Sequence, residues 1–196
     1  MLSTQATEVI TRHRGDAVVV VTMTTIVTFP DAGDDDLVIR CAPLMGGASS
    51  IGLGVALARP DRRVLVCDGD GSLLMQLGSL ATIAGARPPN LYHFVFHNRV
   101  LYEGGGRVGI ANDVDFVGLA RAAGYPAVHA IDDRDELDRH LPDVLDETGP
   151  VLVRLAIDVP DTPVWSNDNP HGELPDWWFR QMGEDARQAR AALSAG

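Results

Sequence analysis

Four consecutive valines, Val18 to Val21, preceded by Ala17, constrain this chain more than any other feature. β-branched side chains crowd a helix but suit a pleated surface. A strand with no polar position has no face to offer water, so it must lie in a sheet covered on both sides. Similar apolar runs recur at Leu37–Cys41, Val64–Cys67, Leu91–Phe96, Ala127–Ile131 and Val151–Ile157. Between them lie stretches of helical length. Met45 to Ala58 is rich in Gly, Ala and Ser, and Ser72 to Ala84 is closed by Gly85 and Pro88-Pro89. Phe116 to Ala123 is ended by Gly124, and Asp133 to Glu147 follows. Strands alternating with helices at this spacing predict an α/β fold: a doubly wound, mostly parallel six-stranded sheet with helices on both faces. After Pro160 the character changes. Pro163, Pro170 and Pro175 punctuate a stretch that holds Trp165, Trp177 and Trp178, and an Arg- and Ala-rich helix is expected from Glu184 to Leu193. The expected division is a domain over residues 1–157 and a C-terminal extension over 158–196.

Charge and residue usage remove several function classes. Sixteen basic against 27 acidic residues give a net charge of −11, which offers no footprint for a phosphate backbone. Every basic residue is Arg, so Schiff-base aldolases, pyridoxal-phosphate enzymes and standard P-loop NTPases, which need a lysine, are excluded. No apolar run approaches the roughly 18 residues of a membrane span. Met1 to Gln5 has neither the basic flank nor the apolar core of a signal peptide. Cys41 and Cys67 sit inside apolar runs and read as reduced core residues of a cytoplasmic protein. The acidic stretch Asp31 to Asp36 reads as a solvated loop rather than a metal site. Neither nucleic acid nor membrane is an expected partner.

Ligands of open parallel sheets bind beyond the carboxyl ends of the strands. Two such ends are polar here, Gly69-Asp70-Gly71-Ser72 and Asn98. A strand–helix–strand unit takes about 30 residues, so the 28-residue step from Asp70 to Asn98 brings both to one sheet edge on successive strands. Glycines beside Asp70 let backbone N–H groups approach an anion, and Ser72 opens a helix. A carboxylate, an amide oxygen and phosphates make the hard-oxygen set that Mg²⁺ prefers.

Rival motifs fail on their own residues. Asp68-x-Asp70-x-Ser72 starts like an EF-hand loop, but Leu73 replaces the required Gly and Ser79 the required Glu. Gly52-Leu53-Gly54 lacks the third glycine of a dinucleotide fingerprint and lies within a helix. Gly47-Ala48-Ser49-Ser50-Ile51 misses the last glycine of a nucleophile elbow. His93 and His97 share one strand face without close approach and read as unrelated core or rim histidines.

Gly69-Asp70-Gly71-Ser72 with Asn98 resembles the thiamine diphosphate motif, a Gly-Asp-Gly turn followed by Asn one strand–helix–strand unit later. The likeness runs from Val18 to Ile157 and is closest to the cofactor-binding half of sulfopyruvate and phosphonopyruvate decarboxylases. Leu44 to Gly54 and Asp68 to Leu80 carry it. The resemblance implies thiamine diphosphate and Mg²⁺ as cofactors, with Asp70, Asn98 and the backbone oxygen of Val100 as metal ligands. It implies that the Gly71 and Ser72 amides and the Ser72 hydroxyl hold the diphosphate. Met45 falls where the family places an apolar wedge beneath the cofactor, and so counts as a catalytic candidate. The Met45 N–H and Pro43 carbonyl would contact the pyrimidine edge. Leu44, Gly46, Gly69, Leu101 and Tyr102 complete the implied cofactor-binding set.

Relatives usually carry Asp-Asn-Gly-Ala-Tyr-Gly-Ser-Thr-Gly-Gly-Gln after the fourth strand, where this chain has His97 to Arg107. The metal Asn survives and the residues shaping the substrate side do not. Glu103 and Arg107 are candidates there for an acid–base group and an anion clamp. The family's pyrimidine-activating glutamate sits on a separate pyrimidine-binding domain. None of Glu8, Glu103, Glu136, Glu147, Glu173 and Glu184 begins the small-residue helix expected of it. The expectation is therefore the cofactor-binding subunit of a two-subunit 2-oxo acid decarboxylase. Its partner supplies the glutamate in a hetero-oligomer with two copies of each chain, and Trp165, Trp177 and Trp178 anchor the interface. An acetolactate-synthase-type carboligase subunit and a non-catalytic regulatory subunit are the competing expectations.

Overall fold

The computed structural model describes residues 1–30, 35–42, 44–101, 108, 114–161 and 176–194, the side chains of 176–179 excepted. Six strands form one sheet: β1 Val18–Val21, β2 Val38–Arg40, β3 Val64–Gly69, β4 Leu91–His97, β5 Ala127–Ile131 and β6 Val151–Ala156. All neighbouring strands pair in parallel, in the order β2-β1-β3-β4-β6-β5. The helices are α1 Ser3–His13, α2 Thr24–Thr28, α3 Ala48–Ala58, α4 Asp70–Met75, α5 Ser79–Ala86, α6 Phe116–Ala123, α7 Arg134–Asp146 and α8 Asp176–Ser194.

Alternation along each strand divides the core into two layers. Val19, Val21, Leu65, Phe94 and Val153 pack against Val9 and Ile10 of α1 and Leu137 and Leu141 of α7. Val18, Val20, Val66, Leu91 and Val95 face the other way, onto Leu53 of α3, Ile83 of α5 and Phe116 of α6. The all-valine strand therefore has no exposed face because each layer takes half of it. Gly52 sits where α3 crosses the sheet, and a Cβ there would lie 2.3 Å from Val66 Cγ2. Both cysteines are free and buried.

Several boundaries differ from the sequence expectation. Met45 is outside α3, because Gly46 adopts φ +82° and ends any helix that reaches back to it. The helix expected over Ser72 to Ala84 is two helices, broken at Gln76, whose φ and ψ are −136° and 41°. α8 starts at Asp176, well before Glu184. It is tied to β2 through Asp185, which is 2% exposed and takes both the Arg40 guanidinium, at 2.9 Å, and the Arg40 backbone N–H. Two helices went unforeseen. α1 carries Ala6, Val9 and Ile10 at helical spacing, and its Arg12 and His13 both pair with Asp138 of α7. α2 is a five-residue helix set directly after β1.

Among the described residues no helix is long and apolar enough to cross a membrane.

Candidate functional site

Strand order fixes where a crevice can open. From β1 the chain moves to β2 on one side, and from β3 it moves to β4 on the other. The two crossovers diverge, so the carboxyl ends of β1 and β3 are left uncovered. A cleft lies there. Its walls include Thr22 to Thr25 after β1, Gly69 at the end of β3 with Asp70 to Ser72 after it, Asn98, Val100 and Leu101 after β4, and Met45, Phe96 and Val108.

The turn after β1 is built by buried threonines. The Thr22 hydroxyl donates to the Cys41 carbonyl at 3.1 Å. The Thr25 hydroxyl accepts the Thr22 N–H at 2.9 Å and lies 2.7 Å and 3.0 Å from the carbonyls of Thr22 and Cys67. Between them Met23 is held at φ +53°, ψ −127°.

Asp70 follows β3 directly and is 2% exposed. Its Oδ1 accepts the Gly71 N–H at 2.6 Å, and its Oδ2 accepts the Arg99 N–H at 2.7 Å. Burial pushes the Asp70 carboxyl above its ordinary value, with the two amides opposing that shift. The Arg99 amide reaches Asp70 because Arg99 adopts a left-handed φ of +66°. Asn98 Oδ1 accepts the Val100 N–H at 3.1 Å, which turns the chain back over the cleft. His97 Nε2 lies 4.0 Å from Asp70 Oδ2, and its ring meets Phe116 edge-on at 5.1 Å. As expected, the two histidines are a core and a rim residue with separate partners, His93 beside Asp68 and His97 beside Asp70. His93 Nε2 is 3.3 Å from Asp68 Oδ2, with both residues fully buried inside the sheet.

Ser72 is buried, and its hydroxyl accepts the Gly46 N–H at 2.8 Å, leaving the hydroxyl proton to be donated elsewhere. That bond joins the turn before α3 to the turn after β3. Gly46 is required there, since a Cβ would lie 2.8 Å from Gln76 Cβ and the φ is positive. Of the expected residues, the fold brings Met45, Gly69, Asp70, Gly71, Ser72, Asn98, Val100 and Leu101 to one cleft. Gly46 lies behind Ser72, and Leu44 is 48% exposed and does not line the cleft. Pro43, Tyr102, Glu103 and Arg107 lie outside the described residues, as do Trp165 and the side chains of Trp177 and Trp178. The part of the acidic stretch at 31–34 is likewise outside, and Asp35 pairs with Arg14. Thr22 to Thr25 were missed. The signal was available in the three threonines, Thr22, Thr24 and Thr25, directly after the valine strand.

The donor set can be tested for a cation. Among the described residues no group of three or more His, Cys, Asp or Glu is assembled. A cation at Asp70 must therefore be held by one carboxylate together with neutral oxygens and oxygens brought by a ligand. That is the usual arrangement for Mg²⁺ with a phosphate-bearing molecule, and Asp70, Asn98 and the Val100 carbonyl fit it.

Comparison with known proteins agrees with this chemistry. The family described as thiamine pyrophosphate enzyme, C-terminal TPP binding domain, matches residues 37–155. A phosphonopyruvate decarboxylase of Streptomyces viridochromogenes is 50% identical over 113 residues, covering 58% of this chain and 28% of the relative. The beta subunit of sulfopyruvate decarboxylase from Methanothermobacter thermautotrophicus is 38% identical over 113 residues, 58% of each chain. This chain thus spans only part of the relatives it matches. Among solved structures, a thiamine diphosphate-dependent 4-hydroxybenzoylformate decarboxylase of Rhodococcus jostii RHA1 superimposes with a TM-score of 0.65 at 19% identity, over 83% of this chain and 33% of that one. That likeness concerns the fold. Because the family match covers more than half of its length, the chain belongs to the thiamine pyrophosphate enzymes and carries their C-terminal cofactor-binding domain.

Proposed function

We propose that this chain is the thiamine diphosphate-binding subunit of a two-subunit decarboxylase that acts on a small 2-oxo acid. The observation that carries the reading is the meeting of Asp70 and Asn98 at one cleft, from the ends of adjacent strands. When bound, thiamine diphosphate supplies an electron sink for cleavage between the carboxylate and keto carbons. Asp70, Asn98 and the Val100 carbonyl would hold Mg²⁺, which would neutralise the diphosphate. The Ser72 hydroxyl, already fixed by Gly46, donates to a phosphate oxygen, and the Gly69 and Gly71 backbone leaves room for the close approach. Met45, which lines the cleft, would pack against the cofactor's ring system. Glu103 and Arg107 are read as the acid–base group and the anion clamp for the substrate.

Three observations support a partner over the cleft. The described walls enclose only about 40 Å³, against roughly 300–1,000 Å³ for a site that buries a ligand of this size. None of the glutamates among the described residues lines the cleft. One relative is itself called a subunit. The partner brings the pyrimidine-binding surface and its glutamate, in a cytoplasmic assembly with two copies of each chain. Residues 1–157 form the cofactor domain, and the 158–196 extension, with its tryptophans, contacts the partner.

The test is calorimetric titration of thiamine diphosphate with and without Mg²⁺, on wild type and Asp70→Ala. Binding that needs the metal and disappears in the variant is expected. Equal affinity in both proteins sinks the assignment. Full turnover of a 2-oxo acid by the purified chain alone would refute the split-enzyme part.

A further inference from the structure

Met23 occupies a backbone conformation that a glycine adopts without steric cost and that other residues rarely enter, at φ +53° and ψ −127°. Such a conformation persists only where its surroundings over-determine it, and it concentrates at functional sites. The surroundings here do so. Thr22 is fully buried and Thr25 is 1% exposed. Their hydroxyls bind the carbonyls of Cys41 and Cys67, which pins the turn to β2 and β3 at once. The Ile26 N–H closes on the Met23 carbonyl at 3.0 Å and starts α2. The turn itself calls for glycine, and methionine adds nothing to it. What methionine adds is a side chain, and the residue is half-buried and lines the cleft.

The cleft is divided in character. Asp70, Ser72 and Asn98 provide hard oxygens, whereas Met23, Met45, Leu101 and Val108 provide apolar surface. A thioether is polarizable and packs well against an aromatic ring. Resting on the proposed thiamine diphosphate site, we infer that Met23 is a specificity-determining residue. The threonine clamp holds it in a glycine conformation so that its side chain grips the ring portion of the ligand, leaving the diphosphate to the oxygen set.

The experiment uses wild type, Met23→Gly, Met23→Ala and Met23→Leu, melted as the chain alone and titrated in the assembled two-subunit protein. Thermal unfolding without ligand reads the strain. The glycine variant should melt a few °C above the alanine variant, reversing the usual order of those residues. A glycine variant that melts below alanine, or does not fold, overturns the strain argument. Calorimetry with Mg²⁺ then compares thiamine diphosphate with inorganic diphosphate. Met23→Gly should lose about tenfold in affinity for thiamine diphosphate, the loss expected from one apolar ring contact. It should keep wild-type affinity for inorganic diphosphate, and Met23→Leu should restore the first. A parallel loss for both probes would mean a merely structural turn, and no loss for either would remove the role altogether. Wild type in the assembled two-subunit protein that binds neither probe refutes the proposed function, an outcome distinct from a wild type that binds both while the glycine variant matches it.

Discussion

Two asparagines bracket β4 and lead opposite lives. Asn90, just before the strand, is buried, and its side-chain nitrogen lies 3.2, 2.9 and 2.6 Å from the carbonyls of Ala56, Arg59 and Arg62. It closes the end of α3 onto the amino edge of the sheet. Asn98, just after the strand, is half-buried, takes the Val100 N–H and lines the cleft. β3 repeats the contrast within three residues. Asp68 is fully buried against His93, while Asp70 turns both oxygens to backbone amides at the cleft. The residue types are the same, so type does not decide the role. At the amino edge and in the sheet interior, polar groups are consumed by the protein's own partners. At the carboxyl edge the diverging crossovers leave them facing a crevice.

The largest effect that could break this comparison is at Asp68. Asp68→Ala strands His93 in the interior, and leaving a fully buried polar group without its partner typically costs up to about 3 kcal/mol. Urea denaturation should show a loss of that order, whereas Asp70→Ala should fold normally. Equal stability of the two variants would mean that interior and cleft carboxylates do not differ as argued.

Next comes the asparagine pair. Asn90→Ala removes the amide donor shared by the Ala56, Arg59 and Arg62 carbonyls and should lose about 2 kcal/mol of stability while keeping Mg²⁺-dependent cofactor affinity. Asn98→Ala should change stability by less than about 0.5 kcal/mol and abolish that affinity. Denaturation and calorimetry on both variants decide it, and any exchange of the two phenotypes removes the contrast.

A subtler effect is the pH dependence at Asp70. Its folded carboxyl is raised by burial, so the folded state holds the proton more tightly than the unfolded chain does. That contribution is fully present below the ordinary value of 3.8 and is lost as pH rises through the folded value. In metal-free protein, Asp70→Ala should therefore gain on wild type as pH is raised from 4 toward 8. An Asp70→Ala variant that loses ground to wild type over that range contradicts the sign.

The smallest expected signal is a null one. Burial pushes the Cys41 thiol up to about 12 and raises Cys67 as well. Neither should be alkylated by iodoacetamide in native protein at pH 8, as read by mass spectrometry. Labelling at Cys41 would show that the carboxyl edge is open beyond the cleft.

Much of this architecture is legible along the chain. The valine strand demands burial on two faces, and the strand–helix spacing demands parallel crossovers. The Asp70-to-Asn98 interval needs only the length of one such unit to place both residues at one edge. Local signals were weaker wherever a backbone conformation overrode them. Nothing in Met45-Gly46-Gly47 says that Gly46 will turn left-handed and stop α3 short of Met45. Nothing in the run from Ser72 to Ala84 says that it breaks at Gln76. α1 was readable from Ala6, Val9 and Ile10 but shows its purpose only against α7.

What the sequence determined by itself is therefore the sheet, its parallel sense, the cofactor turn and the type of ligand atoms available, because periodicity and spacing are properties of the chain. Tertiary structure alone decided that strand order reverses between β1 and β3, and so that Thr22 to Thr25 join Asp70 and Asn98 across 76 residues of sequence. It also decided that Ser72 is fixed by Gly46, that Asp68 is closed off by His93, and that Met23 is held in a glycine's conformation. Each of those depends on which buried donors and acceptors meet in space, and side-chain hydrogen bonds between distant segments leave no periodic trace in the chain that makes them.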